Sequence, residues 1–150
     1  MAEMKIVMMP PEELIPYERN PRRNEKAVAA VMQSIREFGF RVPIIVDANN
    51  VIVCGHTRRI AALRLKLPEV PVCVAADLTP EQTRAYRLAD NRVAELSGWD
   101  EKLLREEIRR IQGIDLEGLG FDRKLLDDVE SKAVGMHRHV CPRCGHEWTT

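Results

Sequence analysis

Gly55, His56, Thr57, Arg58 and Arg59 stand in a row between an apolar run, VIVC, and a helix-like run, IAALRLKL. Residues of these types can recognise a phosphate. Where a loop enters a helix, the first backbone N–H groups lack intrahelical partners and the helix dipole adds partial positive charge, so an anion is favoured there. Gly55 lets a ligand approach the backbone and Thr57 offers a hydroxyl. Arg58 and Arg59 present planar forks that fit phosphate oxygens better than the point charge of a lysine. His56 could act there as a general base, a phosphate donor or a plain polar cap. The competing expectation from spacing is that Arg58, Arg59 and Arg64 are solvated on an amphipathic helix whose Ile60 and Leu63 face the core.

A second group with ligand chemistry closes the chain. Cys141 and Cys144 form a CxxC followed by Gly145, within HRHVCPRCGHEW, a spacing that turns two thiolates toward one ion as in one knuckle of a zinc ribbon. Structural zinc takes four ligands. His146 with His137 or His139 could complete the set, or a second chain could supply another pair, because the usual second CxxC is absent. The alternative is a tail with reduced thiols. Arg138, Arg143 and Trp148 could touch nucleic acid through phosphate contacts and stacking, or Trp148 could pack on the knuckle. Cys54 and Cys73 sit in apolar strand-like runs, where buried free thiols are expected.

The elements that must position these residues follow from period and punctuation. KIVMM reads as a strand stopped by Pro10 and Pro11, and the following loop carries Asn20, Pro21 and Arg22. Val28, Met32, Ile35 and Phe38 recur at helical spacing, with Asn24 as a cap and Gly39 as a stop. VPIIVDANNVIVCG reads as two strands joined by a short turn, and a helix runs from Thr57, as a cap, to Lys66 before Pro68. VPVCV is a further strand. Thr79, Pro80, Glu81 and Gln82 match a capping box with proline in the first helical position. In that helix Tyr86, Ala89, Val93 and Leu96 should form the buried face, with Arg84, Arg87 and Asn91 opposite. Leu103, Leu104, Ile108 and Ile111 mark another helix, and GFDRKLLDDVE a short last one. Strands alternating with helices indicate a mixed α/β or α+β fold.

The 150 residues suffice for one main domain and a small appendage. Lys plus Arg equals Asp plus Glu at 23 each, so no global basic field draws the chain to nucleic acid or to anionic membrane, and any polyanion contact must be local. No apolar run approaches the roughly 18 residues of a membrane helix. The start lacks a signal-peptide core. A cytoplasmic protein is expected.

Five segments in order carry a family resemblance: NPR at 20–22, SIREFGFRVPIIV at 34–46, GHTRRIAAL at 55–63, VPVCV at 70–74 and LADNRVAEL at 88–96. Residues from about 5 to 97 resemble the ParB/sulfiredoxin-like domain. GWDEKLLREEI and GLGFD are similar to the extensions of short ParB-like proteins of phages and mobile elements. The resemblance implies an α+β fold with a mixed sheet and surrounding helices over 1–98, a helical extension over 99–131, and a linker and knuckle-like tail over 132–150. In the ParB branch it implies a nucleoside triphosphate, CTP or ATP, against residues 55–59, with Asn20 and Arg22 nearby and Asp90 and Asn91 as oxygen ligands of magnesium. DNA and a homodimer partner are further expectations. Thr57 replaces the usual acidic residue before the arginine pair, and Ala94 replaces the arginine normally three places after the asparagine, so the resemblance does not carry over the preference for CTP. Too little chain follows Gly98 for a helix-turn-helix DNA reader. In the sulfiredoxin branch Thr57 stands where the nucleophilic cysteine belongs, which argues against that activity. A non-catalytic DNA-associated adaptor and a metal-dependent nuclease using His56, Arg58 and Asp90 remain the alternatives.

Overall fold

A computed structural model of the chain describes residues 5–21, 25–134, 138–140 and 147–149. The chain divides into two compact units, Met1–Gly98 and Trp99–Thr150. The first contains β1 (Ile6–Met9), a 3-10 turn (Pro11–Glu13), α1 (Glu25–Phe38), β2 (Ile44–Val46), β3 (Ile52–Cys54), α2 (His56–Arg64), β4 (Val70–Val74) and α3 (Pro80–Leu96).

The sheet order is β1-β4-β2-β3, with β2 and β4 parallel and the two outer pairs antiparallel. Strand alternation sends Ile44, Val46, Val70 and Val72 to one face, where all four are fully buried together with Leu14, Ile52 and Ala62. Burial of each large aliphatic side chain contributes about 1.5–3 kcal/mol. On the other face, register sets Ile6, Cys73, Ile45 and Cys54 in one row across the four strands. The β2–β3 turn is closed by Asp47, whose Oδ1 accepts from the N–H groups of Asn49 (2.9 Å) and Val51 (3.0 Å).

Three sequence expectations for the first unit need correction. Thr57 does not cap α2: Gly55 holds that position at φ 105° and ψ 24°, Thr57 lies inside the helix, and the helix ends at Arg64 rather than Lys66, which has φ 55°. Phe38, at the end of the α1 stripe, is 45% exposed although Val28 is fully buried. The third correction is the largest. The capping box forms as read, Thr79 Oγ1 accepting from Gln82 N–H and Gln82 Oε1 from Thr79 N–H. Yet α3 is turned by about a third of a revolution from the expected face. Thr83 is buried and Arg87 and Asn91 are half-buried, whereas Val93 and Leu96 are exposed.

The second unit pairs α4 (Glu101–Arg110) with α5 (Arg123–Val134) through buried Ile108 and Val129. Asp100 caps α4, its Oδ1 accepting from Lys102 and Leu103 N–H. Leu103 and Ile111, expected in the stripe, are exposed. Two short strands, β5 (Arg138–Val140) and β6 (Glu147–Thr149), pair antiparallel with His139 opposite Trp148. Cys141, Cys144, His146 and His137 lie outside the described residues, so the knuckle reading finds no geometry here. Among the described residues, no helix is long and apolar enough to cross a membrane.

A Cβ at Gly55 would lie 3.3 Å from Ile44 Cγ1 and 3.4 Å from the Arg58 Cζ, on a backbone that side chains rarely adopt. Gly55→Ala is therefore expected to destabilise the protein by about 1–3 kcal/mol in urea unfolding. Gly98→Ala, with nothing within 4 Å of its Cβ position, should leave stability unchanged or raise it by up to about 1 kcal/mol.

Candidate functional site

The end of β3, the start of α2, the inner face of α3 and the loop before α1 enclose a cavity of about 560 Å³. It brings together seven of the expected residues: Asn20, Gly55, His56, Thr57, Arg58, Asp90 and Asn91. Arg59 is not among its lining residues. One residue on from Arg58, its side chain is turned about 100° around the helix, and its Nε donates to the Pro11 carbonyl at 3.0 Å. Arg22 lies outside the described residues. Four lining residues were not singled out for the site by sequence reasoning: Tyr17, Arg19, Arg84 and Arg87. The available signal for Arg87 was its place between Thr83 and Asn91 on one i, i+4 stripe of polar residues.

Arg58 is anchored as well as charged. Its Nη1 donates to the carbonyls of Val42, at 3.0 Å, and Pro43, so the side chain ties the start of β2 to the start of α2. Burial pushes the guanidinium below its ordinary pKa, against the attraction of Asp90, but an arginine stays cationic. Cys54 feels the negative charge of Asp90. Burial, reinforced by that carboxylate, pushes Cys54 up to about 12, opposed by Arg58 and Arg87. Cys54 is thus a protonated thiol that lines the cavity, without nucleophilic character near neutral pH.

The other wall is built around Tyr17. The Tyr17 N–H donates to His56 Nε2 at 3.2 Å, and the Arg87 guanidinium lies over the Tyr17 ring at 3.9 Å from its centroid. Arg87 Nε donates to the Ile52 carbonyl at 3.1 Å, and its Nη2 is 3.9 Å from Asp47 Oδ2. Burial, then the charges of Arg87 and Arg59, hold His56 below its usual pKa. A neutral imidazole that accepts at Nε2 carries its proton on Nδ1. The Nε2 lone pair of His56 is used by the Tyr17 N–H. Asn91 Nδ2 donates to the Arg87 carbonyl at 2.8 Å.

Four arginines thus face a cavity in which Asp90 is the single carboxylate among the described lining residues. The arrangement suits an anion. A magnesium ion fits only in company with phosphate oxygens, because the protein offers one carboxylate and one amide, and magnesium is commonly held by one or two carboxylates plus phosphates and water.

The ParB N-terminal domain family matches residues 1–92, and the chain belongs to that family. It is 42% identical, over 81 residues, to the ParB-like nuclease domain-containing protein YnaK of Escherichia coli K12, covering 53% of this chain and 93% of the relative. A 52-residue stretch is 36% identical to the uncharacterized protein ORF326b of Acidianus two-tailed virus, and this covers 35% of this chain but 16% of the viral protein. Among solved structures, the fold is similar to the C-terminally truncated chromosome-partitioning protein ParB of Caulobacter crescentus complexed with CTP-gamma-S. The TM-score is 0.57 and the identity 23%, with 87% of each chain covered. The expected α+β ParB/sulfiredoxin-like fold is the observed one.

With the Cys54 thiol raised to about 12, native protein treated with iodoacetamide near pH 8 should leave Cys54 unmodified in peptide mass mapping. Asp90→Asn removes the neighbouring negative charge and should lower the Cys54 pKa and increase its labelling when the fold is kept.

Proposed function

We propose that this chain binds the triphosphate of a nucleotide, with magnesium, in the arginine-walled cavity at residues 55–58. The observation that carries the reading is the surplus of four arginines over one carboxylate in a cavity of about 560 Å³ at a strand-to-helix turn. That volume falls within the ordinary range of small-molecule sites. Arg58 is its anchored cation, Arg84 and Arg19 supply further ones, and Gly55 and Thr57 present backbone and hydroxyl donors. Asp90 and Asn91 would share the magnesium with phosphate oxygens. The CTP analogue on the Caulobacter protein supports a nucleotide as the ligand class. A DNA-related process of a phage or mobile element, a homodimer, and a zinc-supported tail at Cys141, Cys144, His146 and His139 belong to the same proposal, as does the division into a domain over 1–98, an extension over 99–131 and a tail over 132–150.

The name of the Escherichia coli relative favours a second reading, phosphodiester cleavage. The single lining carboxylate weighs against it, because two-metal cleavage uses several convergent carboxylates. Cleavage that persists in both Arg58→Ala and Asp90→Ala would expose a contaminant.

Calorimetric titration with CTP, ATP and GTP plus magnesium tests the first reading. One nucleotide should bind saturably, and Arg58→Ala should weaken it by about 10–100-fold, the worth of a charged hydrogen bond. Because Arg58 also holds the carbonyls of Val42 and Pro43, Arg84→Ala is the companion variant: its side chain is 66% exposed, so it should lose affinity without losing stability. No binding by any of the three nucleotides would overturn the proposal.

A further inference from the structure

The loop that lines the cavity on the α1 side, residues 17–21, carries Tyr17, Arg19 and Asn20 into it. Within the loop, the Asn20 N–H donates to the Tyr17 carbonyl at 3.2 Å, so Tyr17 sets the position of the residues that follow. Two side chains from other elements hold Tyr17. His56 of α2 takes its backbone N–H, and Arg87 of α3 covers its ring while bonded to the Ile52 carbonyl of β3. We propose that His56 and Arg87 are positioning residues that latch residues 17–21 onto the cavity, with His56 acting as a hydrogen-bond acceptor and not as a phosphate ligand. The proposal rests on the anion-site reading.

The latch makes a prediction opposite in sign to a phosphate-ligand role. An imidazolium has two donors and no acceptor, so protonation of His56 sets two N–H donors against each other and releases the Tyr17 backbone. If His56 were instead a ligand of the anion, the added positive charge would strengthen binding as pH falls. The charged groups that reach His56 are Arg87 from α3 and Arg59 from its own helix, both of which favour the neutral form. Asp47, from the β2–β3 turn, stands behind Arg87. The loop presents the Tyr17 amide, α1 contributes apolar Ala27 and Val31 to the cavity, and β3 contributes the Cys54 thiol, which burial and the Asp90 charge keep protonated. The His56 pKa lies below its ordinary value, so release is expected in the acid part of the window, below about pH 6.5.

The full chain would be followed by NMR between about pH 8 and pH 5, reading amide exchange at residues 17–20 and the affinity for sulfate, which keeps both charges over that range. The expected result is a lower protection factor for the Tyr17 amide, relative to its intrinsic exchange rate at each pH, and about tenfold weaker sulfate binding at the acid end. His56→Gln keeps an acceptor that does not titrate, so its Tyr17 protection factor should not change with pH, and it subtracts every other titration in the cavity. Arg87→Lys keeps the charge without the fork and should loosen the loop at all pH values. Tyr17 exchange that follows the same pH course in wild type and His56→Gln would overturn the latch whatever sulfate does. Sulfate binding that strengthens toward acid in wild type alone would make His56 a ligand and overturn the proposal. Failure to bind sulfate at any pH would overturn the anion site and the latch's role in it, even where the exchange profile shows His56 holding the loop.

Discussion

The left-handed turn at Gly55 is the constraint on which the cavity depends. It converts the end of β3 into the start of α2 within one residue, and it is packed from both sides, by Ile44 of β2 and by the Arg58 guanidinium. A wider turn would carry Arg58 away from the carbonyls of Val42 and Pro43, and with it the tie between β2 and α2. Three elements are therefore fixed relative to one another before any ligand arrives. Such preorganisation is what a charged site needs, because guanidinium groups held in place lose little freedom when an anion binds.

Burying a cation beside a sheet also dictates its surroundings. Arg58 requires a counter-charge, and Asp90 supplies it from α3. This explains the orientation of α3. Its inner stripe of Thr83, Arg87 and Asn91 meets a polar cavity and the β2–β3 turn, so the helix has a polar inside and leaves Val93 and Leu96 toward solvent.

Most local structure was legible because local chemistry decides it. The β2–β3 hairpin, the Thr79 capping box and the strand character of VPVCV each follow from residue type and spacing within a few positions. The gathering of Gly55, His56, Thr57 and Arg58 with Asn20, Asp90 and Asn91 around one cavity was legible through a family pattern. The rotation of α3 was not, because the amphipathic rule assumes that a helix packs on an apolar core, and here it packs on a charged cavity. Nor does sequence separate Arg58 from Arg59, which are identical in chemistry. Only the turn angle of the helix sends one to the cavity and the other to the Pro11 carbonyl. Tyr17 and Arg87 escaped notice for a related reason: their stack joins residues far apart in the chain.

The strand order has a consequence for synthesis. Among the described residues β1 pairs only with β4, which leaves the ribosome after β2, β3 and α2. During translation the β2–β3 hairpin and the Gly55 turn can close early, while the first strand waits, its ladder groups unpaired, until Val70–Val74 emerges. A pause between α2 and β4 would hold the nascent chain with one free strand and one waiting sheet edge. That interval is the stage at which a neighbouring chain on the same messenger could supply the missing strand.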